Sequence, residues 1–300
     1  MVVACWAVLA LALAQAPASP APSAPPPPPA GDAVPLRTVS FWAAGDKGEP
    51  VEGLTTDEVV VIENGAARVV TKVARDARPL TMAIVVDSSA PLATVYRLNV
   101  VDAVAEFVRA LPAGTRYSLW TTGDRPRKVV DFTDDRARAA SALRKAFPTG
   151  GNTLLDALDE ASEELGARET ERTVLVAITG VGIGFTSHSR DKVVDDVRKS
   201  GAQVMAVQYE EAGAEEFQAQ GSDQVSRADY DYVLSSLTAN SVFERPVSAM
   251  GLGASLRKLA AALSAYRVSY AAEDTRKAGK VEVQIARPGV KARVVGGESR

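Results

Sequence analysis

From Leu80 onward the chain alternates short, mainly apolar runs with stretches whose apolar residues recur at helical spacing, and few folds accept that rhythm. Thr81–Asp87, Thr173–Thr179 and Gln203–Gln208 lack the in–out alternation of a sheet with one wet face, so they are expected to be strands covered on both sides. Arg116–Thr122 and Lys128–Phe132 are read as further strands. Between these lie amphipathic segments. Ala93–Leu111 carries Val95, Leu98, Val101, Val104, Phe107, Val108 and Leu111 on one face, and Ala137–Phe147 follows a capping Asp134/Asp135. Leu154–Leu165 and Asp191–Ser200, stopped by Gly201, complete the set. Strands interleaved with helices of this length predict an α/β chain with a doubly wound, mostly parallel sheet.

The flanks have a different grain. Residues 35–78 read as an N-terminal β unit, with alternation at Arg37–Trp42 and a turn at Ala44–Gly48. Val59–Ile62 and Arg68–Val73 are expected to pair as a hairpin around Glu63-Asn64-Gly65. The middle, residues 79–245, is the expected α/β domain, interrupted at 210–229 by an acidic excursion with few large apolar residues. A helix is read at Tyr230–Leu237. Residues 250–297 read as a C-terminal helix, Leu252–Leu263, followed by strands Tyr266–Tyr270, Lys280–Ala286 and Val290–Val295. These strands are expected to pack on the N-terminal β unit as an accessory sandwich.

Residues 1–16 form the apolar core of a secretory signal peptide, with Ala12-Leu13-Ala14 as a small-x-small cleavage site. Residues 17–34, with unbroken prolines from Pro25 to Pro29, predict an extended Pro/Ala-rich linker. The expected location is therefore secreted or periplasmic, with no transmembrane span once the signal is removed. Lys and Arg number 34 against 37 Asp and Glu, with no basic stripe, so no nucleic-acid partner is expected. The single Cys and single His exclude a Cys/His zinc site and an internal disulfide, and leave His188 as the one imidazole base.

The chemistry is concentrated where the strand Ile84-Val85-Val86 runs into Asp87-Ser88-Ser89-Ala90-Pro91. In open α/β sheets ligands bind outside the carboxyl ends of the strands. An Asp-x-Ser-x-Ser run there would be a cluster of hard oxygen ligands suited to magnesium, but position 91 is proline.

Three stretches carry a family resemblance over about residues 35–297. Gly48-Glu49-Pro50-Val51-Glu52-Gly53-Leu54-Thr55-Thr56-Asp57 through Gly65 is similar to an opening motif G-x-P-V-x-G-L-T-x-x-D. Pro79 through Ser89 is similar to a first A-domain strand. Tyr266–Tyr270, followed by Arg287-Pro288-Gly289-Val290, is similar to a closing motif. The chain resembles the von Willebrand factor A domain, and more closely the bacterial VWFA-related proteins of acidobacterial type. The resemblance implies a Rossmann-like fold and a metal-ion-dependent adhesion site, where three loops hold Mg²⁺ and a partner carboxylate completes the shell.

Placed on that motif, Asp87 and Ser89 match the first loop and Pro91 departs from it. Asn152 stands where the second loop has threonine, with Thr153 one residue later, and Gly180 stands where the third loop has aspartate. Losing two oxygen ligands, one of them a carboxylate, leaves no metal site expected, and Asp87 is read as satisfying donors of its own loop. The implied function is a non-enzymatic protein-interaction module with a degenerate adhesion site and no cofactor. Its unidentified protein partner would lie in the envelope or the extracellular space. Asp87, Ser88, Ser89, Asn152, Thr153, Gly180 and His188 would line its binding edge.

Two alternatives stay open. One is a Mg-dependent adhesin with a site rebuilt from Asp87, Ser89, Asn152, Thr153 and Asp156, although Asp156 falls inside a helix. The other is a hydrolase using Asp87 with His188, although Ser88/Ser89 lacks a Gly-x-Ser-x-Gly frame. Gly180–Gly184 follows a strand but has no P-loop lysine, so no nucleotide is expected.

Overall fold

The computed structural model describes residues 35–295 apart from 47–48, 50, 169–171, 181–183, 211–223, 226 and 273–278. The signal peptide and linker readings, most of the acidic excursion and the centre of the Gly180–Gly184 run lie outside the described residues.

The first strands are β1 (Leu36–Gly45), β2 (Val59–Glu63), β3 (Ala66–Arg68) and β4 (Val70–Arg75). Asn64 and Gly65 both adopt positive φ, 53° and 82°, the backbone that a two-residue hairpin turn needs. One expectation is corrected here. Arg68–Val73 is not a single hairpin strand: only β3 pairs with β2, while β4 pairs with a later strand in another sheet. Val69, between them, is exposed. The chain turns a corner there, which lets one segment serve both layers.

The α/β part begins with β5 (Leu80–Val86), buried at all seven positions, which is why its sequence shows no alternation. It continues through α1 (Ala93–Val95), a π-helical turn (Tyr96–Val100) and α2 (Val101–Ala110). Next come β6 (Arg116–Thr121), β7 (Arg127–Thr133), α3 (Arg138–Lys145) and α4 (Leu154–Gly166). Then follow β8 (Arg172–Gly180), β9 (Gly184–Phe185), α5 (Arg190–Lys199), β10 (Gln203–Tyr209), β11 (Gln224–Val225), α6 (Arg227–Leu237) and β12 (Phe243–Glu244). The six-stranded sheet has the order β12-β10-β8-β5-β6-β7, parallel except for the edge strand β7. Met82, Ile84 and Val86 join one core with α2 and α3, and Ala83 and Val85 join the other with α4, α5 and α6.

The continuous helix expected from residue 93 to 111 is interrupted by the π turn. Its extra residue shifts the helical phase, so Leu98 points outward at 71% exposure while Tyr96 and Val100 are buried. The Tyr96 hydroxyl then donates to the Leu143 carbonyl at 3.0 Å, tying this turn to α3.

The chain closes with α7 (Leu252–Ala262), β13 (Ala265–Ala271), β14 (Val281–Ile285) and β15 (Val290–Val295). One sheet has the order β15-β1-β13-β4 and a second β14-β2-β3, with Phe41, Val59, Val61, Val268 and Val283 packed between them. Arg37 of one sheet and Glu63 of the other form a buried ion pair, and Tyr270 Oη donates to Glu63 Oε1 at 3.1 Å. Arg287 bonds Glu58 through Nε at 2.9 Å and through Nη2 at 2.8 and 3.0 Å, and its Nη1 donates to the Glu52 carbonyl. Two of the stretches that carry the resemblance, far apart in sequence, thus meet in one clamp. Buried Arg172 of β8 donates through Nη1 to the Leu263 carbonyl after α7 at 2.7 Å, and Arg293 of β15 ties the sandwich to the α/β part by donating through Nη1 to the Ser241 carbonyl at 2.6 Å.

Candidate functional site

Three loops leave the carboxyl ends of β5, β6 and β8, and a fourth, residues 149–153, enters α4. Strand β5 delivers Asp87 only 1% exposed, and burial in an apolar sheet is costly for a carboxylate unless donors surround it. They do. Oδ1 accepts the Ser89 N–H at 3.0 Å. Oδ2 accepts Asn152 Nδ2 at 2.7 Å, the Thr179 hydroxyl at 3.0 Å and the Gly180 N–H at 3.2 Å. Burial still pushes the Asp87 carboxyl above its ordinary range, opposed by the bonds from Ser89, Gly180 and Thr179.

Asn152 is the hub. Its Nδ2 also donates to Thr179 Oγ1 at 2.9 Å, and its Oδ1 accepts the Thr122 hydroxyl at 2.6 Å. The amide has one acceptable orientation, because turning it over would set its oxygen against the Asp87 carboxylate. Its backbone bridges Gly123 on one side and Gly184 on the other, and its carbonyl accepts from Phe185 N–H at 2.8 Å and Tyr230 Oη at 3.1 Å. One residue therefore links all the loops of this edge. The Tyr230 hydroxyl is pushed well above its ordinary value by burial, with the nearby charges of Asp87 and Asp156 adding to the effect.

The remaining candidates are placed as follows. Ser88 Oγ accepts the Gly123 N–H at 2.9 Å, and its carbonyl accepts from Thr149. Thr153 turns its hydroxyl to the Thr122 carbonyl at 2.8 Å rather than toward Asp87. Ser89 and Gly180 are buried beside Asp87. Asp156, in the first turn of α4, accepts the Thr186 hydroxyl at 2.6 Å and the Ser187 N–H at 3.0 Å. His188 stands apart from Asp87: its Nε2 lies 3.3 Å from Asp159 Oδ2, and its backbone N–H donates to Thr186.

Gly180 explains why the third loop carries no side chain. A Cβ there would lie 2.5 Å from Leu92 Cδ1 and 3.2 Å from the Tyr209 ring. Leu92 and Tyr209 thus fill the space a third-loop carboxylate would need. Gly180→Ala is expected to lose about 1–3 kcal/mol from overpacking, read by urea unfolding, and Gly180→Asp more.

The buried polar residues build this edge, and other residues cover it. Ala90, Asp124, Thr149, Gly150, Phe185 and Ser187 are exposed there. Asp124 holds positive φ, 70°, an unusual backbone for a residue with a side chain. Thr122, Asp124, Phe185 and Tyr230 have no distinguishing pattern in the sequence. Only Thr179, beside the expected third loop, was within reach of motif reasoning. Among the described residues, no three His, Cys, Asp or Glu side chains gather in a group that would hold a metal ion.

Residues 82–183 match the family model of the von Willebrand factor type A domain. Among solved structures, proximal thread matrix protein 1 of the mussel byssus is 17% identical over 73% of this chain and 50% of that one, with a TM-score of 0.49. The chain thus spans about half the length of the mussel protein. The von Willebrand factor domain of the type V pili tip protein Mfa5 from Porphyromonas gingivalis is 12% identical over 61% of this chain and 94% of that one, TM-score 0.48. A von Willebrand factor type A protein from Catenulispora acidiphila is 11% identical over 87% of this chain and 73% of that one, TM-score 0.49. No curated protein sequence matches the chain. With its central parallel sheet and the loops around Asp87, Asn152 and Gly180, the stretch at residues 82–183 is a von Willebrand factor type A domain.

Proposed function

We propose that this chain is a non-enzymatic protein-interaction module of the envelope or extracellular space, of the bacterial VWFA-related type, whose carboxyl edge binds its partner without a metal ion. The observation that carries the reading is the closure of Asp87 by Ser89, Asn152, Thr179 and Gly180. A hard cation such as Mg²⁺ needs converging lone pairs in near-octahedral array. Here Asn152 offers Asp87 N–H groups, its one oxygen is engaged by Thr122, Pro91 has no hydroxyl, and Leu92 occupies the third-loop space. The residues present do not fit the ion, and the adhesion site is read as degenerate. The apolar run at residues 1–16 and the proline-rich 17–34 support secretion. No helix of the described residues is long and apolar enough to cross a membrane.

Calorimetric titration of the full chain with MgCl₂ and MnCl₂ is expected to give no stoichiometric micromolar signal. Such a signal, abolished by Asp87→Ala, would instead establish the rebuilt Mg-dependent site. The hydrolase alternative needs His188 to reach a hydroxyl nucleophile, whereas its imidazole is engaged by Asp159. For the partner, a photo-crosslinking residue at Phe185 or Thr149 is expected to capture a discrete envelope protein. The same group at Asp57, in the sandwich, is expected to capture none. Equal capture from both sides would overturn the assignment of the binding edge.

A further inference from the structure

Beside Ser88, on the α3 face of the sheet, a cleft of about 640 Å³ opens between α3 and the β6–β7 pair. Its lining includes Arg127, Arg138 and Lys145 and contains no Asp or Glu. All three cations are exposed, and none has an ion-pair partner among the described residues. Neighbouring cations are paired: Arg144 with Asp102 at 2.9 Å and Lys128 with Glu164 at 2.6 Å. On a chain of net charge −3 this cleft is a local reversal of sign. Its floor is apolar, with Val129, Ala142 and Ala146, and Phe147 stands 73% exposed at the rim.

We infer that this cleft receives an acidic, extended peptide segment of the partner, a reading that rests on the interaction function proposed above. Arg138 and Lys145 begin and end the same helix, seven residues and two turns apart. That places them on one face with backbones about 10 Å apart along the axis. In an extended peptide of polyproline II form, with three residues per turn, residues three apart lie on one face and are separated by about 9 Å. Two carboxylates with two residues between them therefore match the two cations, Arg127 faces the segment from the opposite wall, and an apolar side chain between the carboxylates meets the floor. A cleft of this volume suits a few peptide residues. Nucleic acid would need a longer basic track and stacking aromatics than three cations supply.

The test uses the full chain and a fluorescein-labelled hexapeptide carrying glutamates at positions two and five around two leucines, with a glutamine version as control. Fluorescence anisotropy is expected to show the glutamate peptide binding and the glutamine peptide binding at least about tenfold more weakly, with affinity falling as salt rises. Arg138→Glu and Lys145→Glu should each weaken binding about fivefold or more, and the triple change with Arg127→Glu should abolish it. Arg144→Glu, at the neighbouring paired cation, should leave it unchanged. Equal binding of the two peptides, or binding undisturbed in a folded triple variant, would overturn the proposal. So would equal binding of a single-stranded oligonucleotide of the same charge, which would mark a general polyanion patch. Crosslinking from Phe185 separates the two readings. A partner still captured by the triple variant, with no peptide binding by the wild type, would leave the edge assignment standing and remove the cleft alone.

Discussion

Asp87→Ala is expected to lose about 3–5 kcal/mol of folding stability in urea unfolding at neutral pH. The change deletes the acceptor for the Ser89 and Gly180 N–H groups, the Asn152 amide and the Thr179 hydroxyl, all in a buried setting. Each buried orphan donor costs about 1–3 kcal/mol, and the total stays below their sum because the loops relax together. A carboxylate kept only to receive an ion would give the opposite result, since its removal would relieve a desolvation cost. The pH dependence gives an independent sign. Asp87 titrates above its ordinary value because burial disfavours its charge. A raised carboxyl contributes stability that is fully present below the unfolded-state value, about 3.9, and is lost as pH rises through the folded value. The stability gap between wild type and Asp87→Ala is therefore expected to widen as pH falls through that window. A gap that narrows would contradict the buried-network reading.

The second large effect lies outside the α/β domain. Glu63→Ala is expected to lose about 3–5 kcal/mol, because it leaves the Arg37 guanidinium buried without its carboxylate. Glu63 Oε1 also accepts from Tyr270, and Oε2 lies 3.5 Å from Arg68 Nε. Burial, followed by the Glu63 charge, holds the Tyr270 hydroxyl above its ordinary value. The double change Arg37→Met/Glu63→Leu, which removes both charges and keeps the volume, should recover most of the loss. If Arg37→Met/Glu63→Leu is as unstable as Glu63→Ala, packing rather than the loss of the Arg37–Glu63 pair is the cause.

Much of the architecture was legible because buried strands and amphipathic helices write their environment into local sequence. The run at Leu80–Val86 shows no alternation and proves to be a central strand. Asn64-Gly65 demanded a turn and forms one with both residues at positive φ. The readings that needed correction involve a phase or a corner. The π turn at Tyr96–Val100 turns Leu98 outward without changing the count of apolar residues, and the split at Val69 sends one apparent strand into two sheets. Neither leaves a local compositional mark.

The candidate site divides the same way. Where the chain departs from the adhesion motif of the family it resembles, at Pro91, Asn152 and Gly180, is a property of single positions and needed no coordinates. What fills those places is not. Asn152 reaches Asp87 across 65 residues of sequence, and Gly180 reaches it across 93. The direction of the Asn152 amide depends on Thr122, and the vacancy at Gly180 is filled by Leu92 from another loop. By itself the sequence determined the parallel sheet and the position of its carboxyl edge, because periodicity is local, and beside the family resemblance it marked the three positions that depart from the adhesion motif. Only the tertiary structure decided that Asp87 is satisfied from within and that Arg127, Arg138 and Lys145 meet in one cleft. Hydrogen-bond closure and charge convergence depend on which distant segments the fold brings together.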